Sequence, residues 1–540
     1  MKLKVFYAQE VILEIPDDMA MAQLWLLLAV SSSNGQAGKL EFFTSSLPAP
    51  GRHYKFLFLL PTPLPSHTLT VAPLAVALAH RGHEVYMVCE TPDVYDLPNV
   101  TCIHHDVDII KPEITSFGSS ISTLIHLTNI SAAVAENIDR IFTSPHVQKL
   151  YKRRKEFDFI VAEDAAALAM YPILHEMPFA LFSTTYLNPC QSARFGNAQN
   201  PAYVTSGVFH FPQPFSILDR FKNVLSTVVM CSIYHWMTYQ TEKEVNKHFS
   251  ELPPVSEFER NSSLHFVTVN HALDGPLPLL PNQVAVGGLV LRPLQPLPKD
   301  IAEFLAGEEP VIYVGFGISV FNSNSISADK EELLIAALSK LPYKVILKLA
   351  GQKPKKIGNI LFHNDVPQQT ILAHPNVKVF VSHCGLAGTQ EAVYYGVPII
   401  ALPAMWDQLK ISNFLQQAGV AVALSWDTLT EEDLQDAIEE VILNPSYRKK
   451  MADMSLIYRD QPDTPLDRAV FWSEYMARHK GAPHLQSPAR RLSWITLLHV
   501  DLIAITLLAI CSTFWAVKYI LKAIKRRNRN LSIVNKKKTS

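Results

Sequence analysis

The chain has 540 residues, which is too long for one ordinary core and predicts two domains with additional segments. Its hydrophobic fraction of 48% and charged fraction of 18% are those of a folded globular protein and exclude a disordered or fibrous class. The net charge is −1, but the nine charged residues after Asp501 are all basic, so the preceding part carries −10. This charge argues against nucleic acid as a partner of the main body.

Residues 1–40 contain a weak secretion signal. A short apolar stretch ends in small residues at Ala37, but two aspartates precede it where a signal sequence carries Lys or Arg. Met19 and Met21 therefore stand as alternative effective starts after an upstream extension.

Residues 54–285 alternate between strand and helix patterns. They begin with a strand (YKFLFLL), a proline-rich loop (PTPLPSH), an apolar helix and a second strand (HEVYMVCE), which form a βαβ unit. A later strand, FDFIVAED, belongs to the same predicted parallel sheet. The stretch from Asn188 to Lys247 is rich in aromatic residues without a chemical motif, so it either lines an apolar pocket or packs on a membrane.

Six prolines between Gly275 and Lys299 predict a stiff linker between domains. A second alternation follows in residues 286–480, with strands at PVIYVGFG, YKVILKLAG, VKVFVSH and VPIIALP and helices at ADKEELLIAALSKL and from about Thr389. The sequence therefore predicts an α/β protein of two doubly wound domains, with a ligand cleft at the carboxyl ends of the strands.

The C-terminal region has the pattern of a membrane anchor. An uncharged run at Leu502–Val517, with its apolar flanks, predicts a transmembrane helix over 494–521, whereas the alternative is a buried core helix. The basic tail, 522–540, is predicted to be cytosolic and the body lumenal. The final KKTS matches the dilysine pattern of endoplasmic-reticulum retrieval.

Sequons and cysteines add little to this location. Three sequons are compatible with a glycosylated lumenal body: Asn99, Asn129 and Asn261. The six cysteines show no paired short spacing, so neither a zinc site nor a disulfide framework is predicted.

The most informative stretch runs from Phe380 to Gln408, FVSHCGLAGTQEAVYYGVPIIALPAMWDQ. A strand delivers His383 to its carboxyl end, and Gly385 and Gly388 allow backbone to approach a ligand before the next helix begins. A helix N-terminus favours negative charge, so the pattern predicts a diphosphate cradle, with an ordinary tight turn as the alternative.

Three polar residues complete this stretch. Glu391 lies one turn into the helix, where it is placed to accept hydrogen bonds from ribose hydroxyls. Asp407 and Gln408 set an acceptor beside a donor, a combination that suits the hydroxyls of a sugar.

The block from Val366 to Gln408, including PQQTILAHP, resembles the signature of UDP-glycosyltransferases. The resemblance covers nearly the whole chain after Tyr54, and the span with its basic tail is typical of the animal membrane-bound members. It implies two facing Rossmann-like domains of the GT-B type, with a nucleotide sugar on the C-terminal domain and a lipophilic acceptor on the N-terminal one. It also implies inversion at the anomeric carbon without a metal or other cofactor.

The resemblance assigns roles to individual residues of the second domain. The implied contacts are the diphosphate for His383 and Gly385, the ribose for Glu391, the nucleoside end for Gln368, and the sugar for Asp407 and Gln408.

His67 and Asp164 are the candidate catalytic pair. His67 falls in the loop after the first strand and Asp164 at the end of FDFIVAED, so both lie at the cleft edge of one sheet. A neutral imidazole can take the proton of an acceptor hydroxyl, and a carboxylate fixes its tautomer. Glu163 is the rival partner, but the shorter side chain at the family position favours Asp164. A solvated loop histidine is the alternative to this interpretation.

Several positions depart from the family pattern. Asp365 replaces a tryptophan that stacks on uracil, Ile318 replaces a serine near the phosphates, and Cys384 replaces a glycine, where a Cβ strains a positive φ. Ala387 and Ile411 replace asparagines. These departures support a second hypothesis, a membrane-anchored binding or heteromeric partner that has lost turnover, and UDP affinity separates the two.

The expected partners are a UDP-sugar, a small lipophilic alcohol, phenol or sterol, and the lipid bilayer. No arginine lies near Asp407, and Arg292 falls in the linker, which favours UDP-glucose over UDP-glucuronic acid. Whether the protein forms a homo- or hetero-oligomer stays open.

Overall fold

The computed structural model describes most of the chain between the N-terminal signal segment and the C-terminal tail. The predicted signal and the positions Asn129 and Ile318 lie outside the described residues. The described ranges are 40–61, 64–89, 97–107, 137–164, 167–206, 211, 213–317, 327–349, 353–405 and 407–538.

The first domain is built on a sheet of seven parallel strands in the order β3-β2-β1-β4-β5-β6-β7. The first strand, β1, lies near the middle of the sheet. The strands that follow it are added on one side as far as β3 and then, from β4, on the other side, so the strand order reverses between β1 and β4, which pair directly. The predicted strands YKFLFLL, HEVYMVCE and FDFIVAED are confirmed as β1, β2 and β4. The strands are β1 (Lys55–Leu59), β2 (Glu84–Cys89), β3 (Val100–His104), β4 (Phe159–Glu163), β5 (Phe179–Ser183), β6 (Leu264–Val267) and β7 (Gln283–Ala285).

Helices cover both faces of this sheet. Alternate residues of each strand therefore pack into two separate hydrophobic cores, one on each face. The first helix begins at Pro65, whose fixed φ suits the first helical position. The prediction that His67 lies in a loop was therefore wrong, because it belongs to the first helical turn. The helices of this half are α1 (Pro65–His80), α2 (Pro145–Arg153), α3 (Tyr171–Leu174), α4 (Pro189–Arg194), α5 (Ile217–His248), α6 (Val255–Asn261) and α7 (His271–Asp274).

The second domain repeats this architecture with the order β10-β11-β9-β8-β12-β13-β14. Its strands are parallel except for β10, which pairs antiparallel with β11 at one edge. The four strands predicted here are all confirmed. They belong to the set β8 (Val311–Val314), β9 (Lys344–Lys348), β10 (Lys355–Ile357), β11 (Ile360–His363), β12 (Val377–Ser382), β13 (Ile399–Ala401) and β14 (Ala421–Ala423).

The helices of the second half include the one predicted from about Thr389, which begins earlier, at Leu386. Gly388 therefore lies inside this helix and not before it. The helices are α8 (Lys299–Leu305), α9 (Ala328–Ser339), α10 (Gln368–Ala373), α11 (Leu386–Tyr394), α12 (Asp407–Ala418), α13 (Glu431–Leu443), α14 (Pro445–Arg459) and α15 (Pro465–Arg478).

The first domain's predicted end at residue 285 coincides with the end of β7, but the linker and the last helix of the body differ from the prediction. The proline-rich segment contains β7, the edge strand of the first sheet, so the linker to the second domain begins only after Ala285. Helix α15, which the prediction gave to the second domain, packs on the first: Leu466, Ala469 and Val470 join the core beneath α1. Asp467 accepts hydrogen bonds from the hydroxyls of the serine pair 45–46, both at 2.6 Å.

A disulfide between Cys190 and Cys231 corrects the prediction that no disulfide framework exists. It joins α4 to the middle of α5, across a sequence separation of 41 residues. No short cysteine spacing could signal it, because the fold alone brings the two helices together.

The C-terminal unit is helical. It contains α16 (Trp494–Leu497) and α17 (Val500–Lys538). Within it, Val500–Asn530 is long and apolar enough to cross a membrane, and none of its apolar window is buried. The helix runs on from the predicted span into the basic tail without interruption.

Candidate active site

His67 and Glu163 form the central pair of the first domain. The imidazole Nδ1 of His67, in the first turn of α1, lies 2.5 Å from Glu163 Oε1, at the end of β4. Both side chains are buried. The prediction that Asp164 orients the histidine was wrong in its geometry, because the rival Glu163 occupies that place.

The alternation of side chains along β4 explains why Glu163 and not Asp164 contacts His67. Successive side chains of a strand point to opposite faces, so Glu163 shares a face with Phe159 and Val161, which pack beneath α1. Asp164 follows on the other face, where its carboxylate accepts a hydrogen bond from the Ser183 hydroxyl. A strand-end position alone does not say which of two adjacent carboxylates faces the covering helix.

The surroundings of His67 determine its charge. Burial lowers its pKa, but the charge of Glu163 and the hydrogen bond to it outweigh burial, and the pKa lies above its ordinary value. Asp164 and Asp407 raise it further through their charges. The Thr184 hydroxyl lies 3.1 Å from the same Nδ1. Nδ1 is therefore already hydrogen bonded within the protein, and Nε2 is the ring nitrogen that a bound molecule could contact.

His383 lies at the corresponding place in the second domain. It follows β12, and Gly317 follows β8, the strand paired with β12 at the reversal of strand order. A Cβ at Gly317 would lie 2.9 Å from the His383 ring, and one at Gly385 only 2.4 Å from Nε2. Burial lowers the pKa of His383 to about 4, so the imidazole is neutral at pH 7. It can donate a hydrogen bond to a phosphate oxygen but brings no positive charge.

The N-terminus of α11 follows directly. Gly385 occupies the N-cap position and has no side chain to cap the first amides. These amides are placed to bind an anion, since a helix N-terminus carries partial positive charge. A Cβ at Gly388, by contrast, would meet only ordinary contacts at 3.5 Å or more, so Gly388 is not required for close approach.

Cys384 lies in this cradle with a φ of 61°, in the left-handed region. The predicted strain at this residue is confirmed, because a side chain there costs roughly 1–2 kcal/mol that glycine avoids. The side chain is fully buried, and its backbone N–H donates to the Ser382 hydroxyl at 3.2 Å. Burial and the charge of Asp407 both raise the pKa of the thiol.

Glu391 is buried and already hydrogen bonded. It accepts bonds from the side-chain amides of Gln368 and Gln369, the latter at 2.8 Å. Gln368 in turn accepts from the Tyr313 hydroxyl at 2.8 Å. Burial raises the pKa of Glu391, and the charge of Arg292 opposes that rise. The charge of Arg292, a residue assigned from the sequence to the linker, therefore acts on the Glu391 carboxylate, and the position of Arg292 along the chain gave no signal of this.

Asp407 and Gln408 begin α12. The side-chain oxygen Oε1 of Gln408 accepts hydrogen bonds from the backbone amides of Ala404 and Met405, at 2.8 and 3.1 Å, so it holds the preceding loop in place. Burial raises the pKa of Asp407 to about 6, against the lowering effect of His67 and then Lys410. The two predicted sets of site residues therefore act on each other across one cleft.

Lys410 and Tyr186 are site residues that the sequence reasoning missed. Lys410 Nζ lies 5.8 Å from the centre of the Tyr186 ring, and the Lys410 charge also acts on Asp274. Lys410 stands three residues after Asp407, a helical spacing that could have indicated a shared face. At the other end of the site, the Asp365 side chain is 89% exposed and pairs with Lys348 at 3.4 Å. It offers no aromatic face to a base.

The cleft and its cradle define a class of protein. Two facing Rossmann-like domains form the GT-B fold of glycosyltransferases. The Medicago truncatula protein UGT71G1, solved in complex with UDP-glucose, superposes with a TM-score of 0.53 at 15% identity, over 79% of this chain and 98% of that chain.

The sequence comparison is more specific. The family model of the UDP-glucuronosyl and UDP-glucosyl transferases matches residues 115–537. UDP-glycosyltransferase UGT5 of Dactylopius coccus is 30% identical, over 87% of this chain and 92% of that protein. The 2-hydroxyacylsphingosine 1-beta-galactosyltransferase of Rattus norvegicus is also 30% identical, over 89% and 90%. The chain belongs to the UDP-glycosyltransferase family, and it transfers a glycosyl group from a UDP-sugar to an acceptor.

Proposed function

We propose that the protein catalyses inverting transfer with His67 as general base. Nε2 takes the proton of an acceptor hydroxyl, and the oxygen attacks the anomeric carbon on the face opposite UDP. The bond from that carbon to the diphosphate oxygen breaks, and UDP leaves as an anion. The observation that supports this step is the 2.5 Å contact between His67 Nδ1 and Glu163 Oε1, which fixes the tautomer with Nε2 unprotonated.

Glu163 is proposed as the residue that positions the base. When His67 accepts a proton, the imidazolium is stabilised by the adjacent buried carboxylate, as the raised pKa of His67 indicates. Asp164 is proposed as a secondary charge. It acts on His67 through space, while its own hydrogen bond goes to Ser183.

The departing UDP is proposed to bind the cradle of the second domain. The neutral His383 ring and the first amides of α11 would receive the diphosphate, with Glu391 and Gln368 toward the nucleoside. The proposed transfer is metal-independent.

The sugar is proposed to be an uncharged hexose. Asp407 and Gln408 begin the helix at the sugar side, and Lys410 acts electrostatically on both Asp407 and Asp274. Two carboxylates around one lysine leave net negative charge, which disfavours the carboxylate of a hexuronic acid. UDP-glucose is therefore the donor to offer first.

The acceptor is proposed to be a small lipophilic alcohol, phenol or sterol. An open surface depression of about 480 Å³ lies among Tyr203, His271 and the segment from Pro276 to Pro278. Its size falls within the range of about 300–1,000 Å³ that small-molecule pockets occupy. The residues after β6 that line it lie at the same sheet edge as His67.

The proposed location is the endoplasmic-reticulum membrane, with the body lumenal and the tail cytosolic. The disulfide between Cys190 and Cys231 supports this, because disulfides form and persist in oxidising compartments. The span at Val500–Asn530 supplies the anchor.

The decisive experiment measures UDP release by the full chain in detergent. UDP-glucose and UDP-glucuronic acid are each offered with a panel of phenols and sterols, and His67→Ala is the matched variant. We expect acceptor-dependent release with UDP-glucose, lost in the variant while UDP binding persists. If neither donor yields release and calorimetry detects no UDP binding, the proposed reaction is wrong and the binding-partner hypothesis takes its place.

A further inference from the structure

Helix α5 presents large apolar side chains to solvent. It runs for 32 residues from Ile217 to His248, and only four of its residues are buried. Phe221 is 66% exposed and Val228 is 57% exposed. Seven apolar residues on the first half of the helix are exposed, and all of them except Val229 are named here the outer face: Ile217, Leu218, Phe221, Val224, Leu225 and Val228.

The outer face is one continuous stripe. At 3.6 residues per turn, its six residues fall within an arc of about 120° that extends for roughly 16 Å along the axis. The buried residues Asn223 and Met230 lie on the opposite side. An ordinary surface helix has the reverse pattern, with polar residues outward. Exposed Arg220 and Lys222 border the stripe on its two sides.

The helix is held firmly in this orientation. Asn223 donates from its amide to the carbonyls of Pro201 and Val204, both at 2.7 Å, and accepts from the Ser206 amide. The disulfide at Cys231 fixes the helix about two turns further along. The outward direction of the apolar residues is therefore set by the folded body.

We propose that the outer face lies in the interfacial layer of a lipid bilayer. The chain carries its own candidate span, and only residues 487–499 separate the body from it. Thirteen extended residues reach at most about 45 Å, so the body stays close to the membrane that holds the span.

The chemistry of the helix suits this occupant. A helix that lies on a membrane inserts its apolar face about 5–10 Å, to the boundary of headgroups and acyl chains. Bordering cations contact anionic headgroups, as Arg220 and Lys222 are placed to do. Trp236 and Tyr239, both exposed, extend the same side of the helix with the residues enriched at membrane interfaces. The proposed membrane contact does not depend on catalysis, so its test is independent of the test of the proposed reaction.

The test uses the full chain reconstituted in phosphatidylcholine vesicles containing some anionic lipid. A Cys102→Ser, Cys511→Ser parent removes the two free cysteines that are not buried. Single cysteines at Phe221→Cys and Val228→Cys carry an environment-sensitive fluorophore, and Glu439→Cys, exposed on α13, is the matched control. We expect a blue shift and quenching by lipids brominated on their acyl chains at positions 221 and 228, and neither effect at 439.

Two results would overturn the proposal. Labels at 221 and 228 that match the control in water-like emission would show that the outer face is solvated. A blue shift without quenching by brominated lipid, together with crosslinking of Phe221→Cys chains that rises with protein density, would show that a second copy covers it. A circular dichroism melt matched to the parent establishes that each variant is folded.

Discussion

The two edges of the cleft, one from each sheet, are prepared for substrate to different degrees. On the first sheet, His67 is already paired with Glu163, and one ring nitrogen is left for the reaction. On the second sheet, Glu391 is occupied by two glutamines, and the Gln408 carbonyl caps its own loop. In the proposed reaction, the base must be oriented before the acceptor arrives, whereas the proposed donor contacts can be exchanged as the nucleotide enters.

The difference is notable because both edges use the same topology. In each sheet the site lies where the strand order reverses, between β1 and β4 or between β8 and β12. Departures from the family pattern fall on the second edge, at Asp365 and Cys384, and leave the first edge intact. These departures therefore bear on the affinity for the donor and not on the proposed base.

Replacing the base gives the largest expected effect. His67→Ala should lower kcat by about 10²–10⁴-fold, because the acceptor hydroxyl loses its proton acceptor. The KM for the donor should hardly change, since the donor contacts lie on the other edge. Rates of UDP release over a range of donor concentrations give both values. His80→Ala, in the last turn of the same helix, is the control, and equal losses in the two variants would remove His67 from the mechanism.

Neutralising the partner sharpens the assignment of Glu163 over Asp164. Glu163→Gln should lower kcat by about 10²-fold, because the imidazole is no longer held in its productive orientation. Asp164→Asn, the matched variant on the opposite strand face, should have the smaller effect. If the order is reversed, Asp164 is the functional partner despite the geometry.

The pH dependence of activity shows whether Glu163→Gln acts through His67 or only by a general loss of structure. The raised pKa of His67 means that activity increases as pH rises through a value above the ordinary one of about 6.5. In Glu163→Gln burial acts without the opposing carboxylate, so the activity limb moves to lower pH. The stabilisation of the fold by protonated His67 is complete below about 6.5 and lost as pH rises through the folded pKa. A pH profile of kcat that keeps its limb in the variant would contradict this coupling.

Substitutions at two glycines test whether the cradle on the second edge binds an anion. Gly385→Ala places a Cβ 2.4 Å from His383 Nε2 and should raise the donor KM roughly tenfold, about 1.4 kcal/mol of binding. Gly388→Ala meets only a contact of 3.5 Å and should be tolerated. It should stabilise α11 by up to about 1 kcal/mol, since glycine is unfavourable within a helix. Titration with UDP in a calorimeter compares the two, and equal UDP affinities would argue against an anion site here.

The smallest effect concerns Cys384. Cys384→Gly and Cys384→Ala both remove the thiol, but only glycine relieves the positive φ. We expect the glycine variant to be more stable than the alanine variant by about 1 kcal/mol, measured by thermal unfolding. An alanine variant of equal or greater stability would show that this backbone position is not strained.

The sequence predicted the central strands well, because they are continuous apolar runs buried on both faces. It favoured Asp164 over Glu163 wrongly, since the correct choice depends on which strand face meets α1. It missed β7 because an edge strand tolerates prolines on both sides. The partners Cys190 and Cys231, and the approach of Arg292 to Glu391, arise only from tertiary structure.

The return of α15 to the first domain bears on the order of folding during synthesis. Leu466, Ala469, Val470 and Met476 complete the apolar layer beneath α1, nearly four hundred residues after α1 is made. A nascent chain that has emerged only through the second sheet therefore still exposes this part of its first domain. The N-terminal domain cannot close its core before translation is almost finished, so it must be kept from aggregation until then.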